Sequence, residues 1–353
     1  FILMKRIFLF SAFLVLLFSS AAQTDVGYEI KVTFKPFKNQ YIYLGHYFGK
    51  TYPIIDSALL NEKSEAIFKG DGNLNGGIYL IGYPKKTGFF EVLVDKQQRF
   101  SITADTATIG SSIKFENSSD NVLFNHYQQF MTGKGKEINK LKDSYKTSTS
   151  KKDSAAIREK LIKLDEDIAA FRNDIIKNYP GNILTALLMT MKEPALTGRL
   201  KNPKTKEDSL ASWQYYKDHF WDDVSFYDGR IAYTTFFEEK LDKYFNQVVV
   251  PHPDSVIKEL DWMLGTATIN LEMTRFLLIK FVNRYLNQKY MWEDAVFLYL
   301  FEKYFAQKEH SWLTAAGKKV ITDRAYSLMA NIMGTPASDI ELPASTGAMK
   351  SMF

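Results

Sequence analysis

The chain has 353 residues, enough for two domains with separate cores. Hydrophobic residues make up 46% and charged residues 24%, as in an ordinary folded protein. The formal charge of +5 is spread along the chain among acidic residues, which excludes the basic footprint of a nucleic-acid-binding protein. The chain contains no cysteine, so these residues cannot form disulfides or carry out thiol chemistry.

The N-terminal stretch has the pattern of a secretory signal peptide. Lys5 and Arg6 are followed by the apolar run Ile7–Phe18 and then by small residues that end at Ala22. The apolar run is shorter than the roughly 20 residues that a membrane span needs. We expect Met4 to be the initiator, residues 1–22 to be removed, and the mature protein to be periplasmic and not integral to a membrane.

Apolar residues then alternate with period two, which is typical of β-strands with one buried face. Short turn-forming segments separate these runs at regular spacing. We therefore predict an antiparallel β-sandwich or barrel over residues 23–118. The predicted strands cover residues 28–34, 41–47, 54–60, 65–69, 77–83, 89–94, 100–104 and 112–115.

After Asn117 the apolar period changes to 3.6, which indicates amphipathic helices. We predict an all-α domain over residues 119–333, built from stacked helical hairpins without a recognisable repeat period. The fold class is thus α+β multidomain, with a β-domain ahead of a helical domain. The predicted helices cover residues 121–145, 154–179, 183–191, 206–219, 234–245, 254–266, 271–288, 292–306 and 311–333.

Residues 334–353 read as a linker and the first strand of another domain. Gly334, Ala337, Asp339, Ile340 and Leu342 follow the pattern G-x-x-A-x-D-hydrophobic-x-L. This pattern resembles the start of the TlpA/ResA-type thioredoxin-like domains. The resemblance implies that the Cys-x-x-Cys of such a domain would lie beyond the last residue of this chain.

The order of the regions resembles exported Gram-negative proteins that carry a β-domain and a helical domain of unknown function ahead of a thioredoxin-like domain. The resemblance implies the non-catalytic N-terminal part of a periplasmic thiol-disulfide oxidoreductase, positioning the redox domain or its protein or peptide substrate. The alternative is a non-enzymatic exported binding or scaffold protein. Neither interpretation assigns this chain a catalytic residue, a cofactor or a metal. The residues that carry the resemblance lie at 41–50, 56–58, 66–70, 220–230, 251–255 and 299–304.

Aromatic, acidic and basic residues are concentrated between two predicted helices. Trp221, Asp222, Tyr227 and Arg230 are our candidates for partner binding. Neighbouring carboxylates can raise one pKa enough for acid–base chemistry, but no nucleophile or oxyanion donor lies beside them. The alternative interpretation is a loop held by aromatic burial, with its aspartates capping helices and pairing with Arg230.

Five Asp-Ser or Asp-Thr pairs are followed by a small or apolar residue, which resembles a short bacterial O-glycosylation signal. Because Asp-Ser also caps helices, the last three sites suit that role equally well. The candidate acceptors are Ser57, Thr106, Ser154, Ser209 and Ser255.

Metal binding is not indicated by the sequence. The five histidines are scattered singly, without the spacing of a zinc site. Residues 71–76 imitate the first half of an EF-hand loop, but Gly82 stands where the bidentate glutamate is required. A turn rich in Asn and Gly explains the segment without an ion.

Overall fold

The computed structural model describes residues 27–109, 113–148, 150–329 and 339–351. The predicted signal peptide at residues 1–22 lies outside these ranges. The chain divides into two compact units. The first unit contains residues 1–45 and 54–153, and the second contains residues 46–53 and 154–353. The fold is α+β, with a β-rich region followed by a helical region, as predicted.

The first unit is built on two four-stranded sheets, ordered β4-β1-β7-β8 and β3-β2-β5-β6. Alternate residues of β1, Ile30, Val32 and Phe34, are at most 1% exposed and join a core to which both sheets contribute. The strands are β1 Tyr28–Lys35, β2 Tyr41–His46, β3 Ile54–Leu59, β4 Glu65–Gly70, β5 Gly77–Gly82, β6 Phe89–Val94, β7 Arg99–Asp105 and β8 Lys114–Glu116.

One strand pair departs from the predicted antiparallel arrangement. β1 and β7 run parallel, with Ile30 opposite Phe100 and Val32 opposite Ile102. Parallel neighbours need a long connection between them. Here that connection contains β2 to β6, which supply the whole second sheet and one edge of the first.

The first helix belongs to the first unit, which differs from the predicted boundary at residue 118. This helix, α1 Ser119–Thr147, begins after β8 and packs against β6. The fully buried Asn121 explains the attachment. Its Oδ1 accepts from the Leu93 amide at 2.7 Å, and its Nδ2 donates to the Leu93 carbonyl at 2.7 Å. Asn121 therefore bonds to the edge strand β6 as a neighbouring strand would.

The other helices are α2 Lys151–Asn178, α3 Ile183–Thr190, α4 Gly198–Lys201, α5 Lys206–Asp218, α6 Thr235–Lys243, α7 Pro253–Ala267, α8 Leu271–Leu286, α9 Glu293–Leu300 and α10 Ala315–Met329. Of these, α2 has 28 residues and the rest have at most 16. Two of them, α6 and α9, continue into π-helical turns at Tyr244–Val248 and Phe301–Phe305. Across the described ranges, no helix has both the length and the apolar character needed to cross a membrane.

Aromatic side chains dominate the core of the second unit. Phe276, Phe281, Tyr285 and Phe297 are at most 2% exposed. The aromatic density of the predicted helices over 271–288 and 292–306 is therefore mainly core, as helical spacing favours.

The segment His46–Pro53, between β2 and β3, belongs to the second unit. Phe48 packs edge-on against Phe276 at 5.1 Å and Tyr233 at 5.8 Å. Gly49 has φ 58°, and a Cβ atom there would lie 1.9 Å from the Glu238 carboxylate. Only glycine fits this conformation and this close approach.

The described part of the predicted linker forms a hairpin. β9 Glu341–Pro343 pairs with β10 Met349–Ser351, and Gly347 turns the chain with φ 78°. Every residue of both strands is exposed. The first part of the predicted pattern, residues 334–338, lies outside the described residues.

Candidate functional site

The aromatic residues predicted for partner binding have different environments. Trp221 is 7% exposed and packs edge-on against Phe220 at 4.9 Å and Tyr244 at 5.1 Å. Tyr227, in contrast, is 57% exposed. Trp221 therefore stabilises the core, and only Tyr227 offers its ring to a partner.

The charged candidates bond to neighbours within their own loop. His219 Nδ1 lies 2.6 Å from the exposed Asp222 carboxylate. Arg230 donates from Nε and Nη2 to Asp228 at 2.8 and 2.6 Å, and the Asp228 carboxylate also accepts from the Arg230 amide. This arrangement matches the alternative interpretation, in which an aspartate caps a helical turn and pairs with Arg230.

A lysine of the chain itself occupies the faces of the buried aromatic pair. Lys240 Nζ lies 5.1 Å from the Phe220 ring centroid and 5.7 Å from that of Trp221. It donates to the Lys192 carbonyl at 2.5 Å. Burial lowers the pKa of Lys240 to about 8. The cation–π site at Trp221 is thus already filled from within.

The candidate glycosylation acceptors lie on different elements. Ser57 is exposed on β3, and Thr106 opens a short 3₁₀ turn capped by Asp105. Ser154, Ser209 and Ser255 lie in the first turns of α2, α5 and α7. The Ser209 hydroxyl donates to the Thr205 carbonyl at 2.9 Å.

The EF-hand-like segment is bonded to other parts of the first unit. Asn73 Oδ1 accepts from the Gly27 amide at 2.9 Å, and the Leu74 amide donates to Gln98 at 2.8 Å. Among the described residues, no three His, Asp or Glu side chains come together in a way that could hold a metal ion.

A cavity of about 740 Å³ lies in the second unit between α6, the first π turn, α8 and the start of α9. This volume is within the range of small-ligand sites. Its lining combines buried aromatic rings, amides and charges of both signs. The lining residues are Glu238, Leu241, Asp242, Phe245, Asn246, Pro251, Lys280, Phe281, Asn283, Arg284, Tyr285, Asn287, Lys289, Tyr290, Trp292 and Glu293.

The most deeply buried part of the lining is apolar. Leu241, Phe245, Phe281 and Tyr285 are at most 8% exposed. Phe245 packs edge-on against Phe281 at 5.4 Å. Burial raises the pKa of the Tyr285 hydroxyl to about 12, so it stays protonated at neutral pH.

Arg284 lies at the centre of the charged lining. Its guanidinium contacts Asp242 at 3.4 Å, donates to Asn246 Oδ1 at 2.5 Å and lies 5.6 Å from the Phe245 ring centroid. Its Nε is buried and has no hydrogen-bond partner among the described residues. Asp242 also accepts from Lys50, so one carboxylate is shared by two cations. Arg284 is therefore positively charged and incompletely paired.

The remaining charges balance. Glu238 pairs with Lys280 at 2.7 Å. Glu293 is 7% exposed and accepts from the backbone amides of Lys289 at 2.5 Å and Tyr290 at 3.1 Å. Glu293 thus fixes the loop that carries Tyr290, whose ring lies nearly parallel to that of Trp292, with centroids 6.3 Å apart. The lining as a whole carries three acidic and three basic side chains.

Two amides at the rim have unused hydrogen-bonding capacity. Asn283 and Asn287 are four residues apart at the C-terminal end of α8, and both are exposed. Neither side chain makes a hydrogen bond within the part of the chain that the structure describes. Each amide offers one acceptor and two donor hydrogens. Residues four apart on a helix lie on the same face.

Sequence reasoning did not identify this cavity. The available signal was Asn283, Arg284 and Asn287, which interrupt an otherwise apolar helix end. That signal alone could not show that α6 faces them, because Asp242 and Asn246 are distant in sequence.

Part of the second unit is similar to a known protein family. Residues 192–331 match a family described as Domain of unknown function (DUF5106). No match was found among curated proteins or among solved structures. The chain thus carries a DUF5106 domain at residues 192–331. Every residue that lines the cavity lies within this range.

Proposed function

We propose that this chain is the non-catalytic, peptide-binding part of a periplasmic protein with an attached thioredoxin-like domain. The observation that carries the proposal is the cavity in the second unit, with its incompletely paired Arg284 and its unbonded Asn283 and Asn287. In this proposal the cavity holds a protein or peptide substrate for the redox domain.

The chemistry of the lining supports an extended peptide as the ligand. An asparagine amide matches a peptide group, because each has both a donor and an acceptor. Asn283 and Asn287 could therefore bond to the ligand backbone at two points, while Arg284 binds a carboxylate. The buried rings of Phe245 and Phe281 offer apolar surface to a ligand side chain.

The redox part of the proposal is supported by the resemblance of residues 334–342 and by the exposed hairpin. Ile340, Leu342 and Met349 are 52%, 54% and 58% exposed. An isolated two-stranded hairpin is marginally stable in water, and three or more strands with an apolar face are needed for independent stability. In this proposal the thioredoxin-like domain supplies the missing strands and covers these side chains.

The alternative remains a non-enzymatic exported binding or scaffold protein. The same cavity supports it, because none of its groups is arranged as a nucleophile and base. The two proposals differ only in whether a thiol domain is attached.

Peptide binding is tested with a fluorescent, reduced and alkylated insulin B chain, by polarisation. We expect Asn283→Ala/Asn287→Ala to weaken binding about thirtyfold, because two lost hydrogen bonds contribute about 1 kcal/mol each. Asn139→Ala/Asn173→Ala is the matched control, since both of these asparagines are exposed and unbonded among the described residues. Equal affinity for the two double variants would contradict peptide binding at this cavity.

The redox part has a separate readout. The protein purified from the periplasmic fraction of its native cells should reduce insulin disulfides through a Cys-x-x-Cys encoded after residue 353. Residues 23–353 alone should not, because thiol exchange requires a thiolate. An absent Cys-x-x-Cys, or recovery of the protein from the cytoplasm, would leave the alternative in place without affecting the peptide result.

A further inference from the structure

The turn between α7 and α8 exposes an unusually apolar surface. The last turns of α7, this turn and the first residue of α8, together Trp262–Leu271, include no charged side chain. Ile269 and Leu271 are each 82% exposed, and Trp262 is 46% exposed. Tyr227, 57% exposed, belongs to the same surface, because its carbonyl accepts from Asn270 Nδ2 at 3.0 Å. We call Tyr227, Trp262, Ile269 and Leu271 the apolar tip.

The polar side chains of the turn are already bonded to backbone groups. Thr266 Oγ1 donates to the Trp262 carbonyl at 2.8 Å, and Thr268 Oγ1 donates to the Gly265 carbonyl. Asn270 Oδ1 accepts from the Met273 amide at 3.0 Å. Removing water from these side chains therefore leaves none of them without a hydrogen bond, which lowers the cost of burial in an apolar medium.

Three acidic side chains around the apolar tip are paired within the chain. Asp228 bonds to Arg230 at 2.6 Å, Glu272 contacts Arg275 at 3.4 Å, and Asp261 accepts from Lys303 at 2.9 Å. These ion pairs offer little net charge to steer a charged protein partner. Lys258 is exposed, and it lies one helical turn before Trp262 on the same face of α7.

We propose that the apolar tip inserts into the headgroup boundary of a phospholipid bilayer. Two aliphatic side chains enter the acyl region, while Trp262 and Tyr227 lie at the interface, where amphipathic rings are favoured. Lys258 extends its ammonium to a lipid phosphate. The attachment is peripheral and reversible, and it does not depend on peptide binding at the cavity.

The polar side chains of the turn are bonded within the chain, and the acidic side chains beside it are paired. Both observations favour lipid over a protein partner. A specific protein partner is normally recognised through hydrogen bonds and placed charges as well as apolar contact. The only side-chain polar groups of the apolar tip are the Tyr227 hydroxyl and the Trp262 indole N–H, and rings with such groups are favoured at the headgroup boundary of a bilayer. The insertion is driven by apolar area and should depend only weakly on salt.

The test is flotation of the protein lacking residues 1–22 with vesicles of phosphatidylethanolamine and phosphatidylglycerol. We expect Ile269→Asp/Leu271→Asp to reduce binding about a hundredfold, from the lost burial of two aliphatic side chains. Ile162→Asp/Leu210→Asp is the matched control, because these residues are 59% and 63% exposed and lie on α2 and α5. The control should bind as the wild type does.

A second readout locates the contact. Lipids brominated near the headgroup should quench the fluorescence of Trp262, and Trp262→Phe should remove that quenching. Wild-type protein that does not float would overturn the proposal, as would equal loss in both double variants. Concentration-dependent dimers that only Ile269→Asp/Leu271→Asp abolishes would instead assign the tip to a second copy of the chain.

Discussion

Two segments of the second unit share a sequence pattern but have different surroundings. Residues 242–247 and 302–307 both read acidic-Lys-Tyr-Phe-x-Gln. Each segment overlaps the π turn that ends α6 or α9. In each, the tyrosine donates to a carboxylate of α7: Tyr244 to Glu259 at 2.8 Å, and Tyr304 to Asp261 at 3.1 Å.

The difference lies in what surrounds each segment. Tyr244 is 2% exposed, whereas Tyr304 is only partly buried. Phe245 lines the cavity, whereas Phe305 packs against Trp312. Three residues before the shared lysine, the first segment has Lys240, while the second has a buried leucine. The shared tyrosine therefore makes the same kind of contact with α7 in both segments. The two phenylalanines line different cavities: Phe245 faces α8, whereas Phe305 faces α10.

Truncating the shared phenylalanine should give the largest effect. Phe245→Ala and Phe305→Ala should each lower the free energy of unfolding by about 3–5 kcal/mol, because both rings are at most 8% exposed. Urea unfolding measures this loss. Only Phe245→Ala should also change peptide affinity, since it removes a wall of the cavity and the ring beneath Arg284. Similar affinity changes in both variants would show that the segments do not differ in this way.

Lys240 gives a pH-dependent contrast of intermediate size. Its folded-state pKa is lowered to about 8, whereas the unfolded chain holds this proton until about pH 10.4. Between these values the unfolded state binds more protons, so stability rises with pH. From pH 7.5 to 9.5 this group should add about 2 kcal/mol to the free energy of unfolding.

The measurement is urea unfolding of the wild type and Lys240→Leu at both pH values. The variant introduces the residue type that the second segment has at this position, and it should lose the rise. Lys303→Leu is the control. Hydrogen bonds to Tyr299 and Asp261 raise the pKa of Lys303, so this variant should leave the rise in stability intact. A rise that persists in Lys240→Leu would assign it to another group.

Removing the tyrosine hydroxyl should give the smallest difference in stability between the two segments. Tyr244→Phe should cost about 1.5 kcal/mol, because the Tyr244 side chain is 2% exposed and its hydroxyl donates to the Glu259 carboxylate. Tyr304→Phe should cost about 0.5 kcal/mol, since Asp261 keeps its bonds to Lys303 and Tyr299. Equal costs in thermal or urea unfolding would mean that burial does not separate the two segments.

Local pattern predicted most of the secondary structure. The strand over residues 89–94 matches β6, and the helix over residues 183–191 matches α3 to within one residue. Alternation and helical period report which face of an element is buried, and both are local properties. The second π turn was predicted as part of a continuous helix over residues 292–306, because a π turn preserves the apolar pattern on either side. The predicted helix over residues 234–245 ends within the first π turn.

Pairing between distant residues was not predictable in this way. The parallel pairing of β1 with β7 and the bond of Asn121 to Leu93 join residues that are distant in sequence. A local hydrophobic period carries no information about such pairs. The cavity has the same origin, since Asp242 and Arg284 meet only when α6 packs beside α8. The predicted candidates at Trp221 and Arg230 were instead visible because they are clustered in sequence.

The buried amide of Asn121 has a consequence for association between molecules. β6 is the last strand of its sheet, and an open edge strand offers its amides and carbonyls to any other chain. Asn121 engages both backbone groups of Leu93, and Gln128 bonds to Glu91 on the same strand at 3.0 Å. Helix α1 therefore covers part of this edge and hinders the addition of a strand from another molecule.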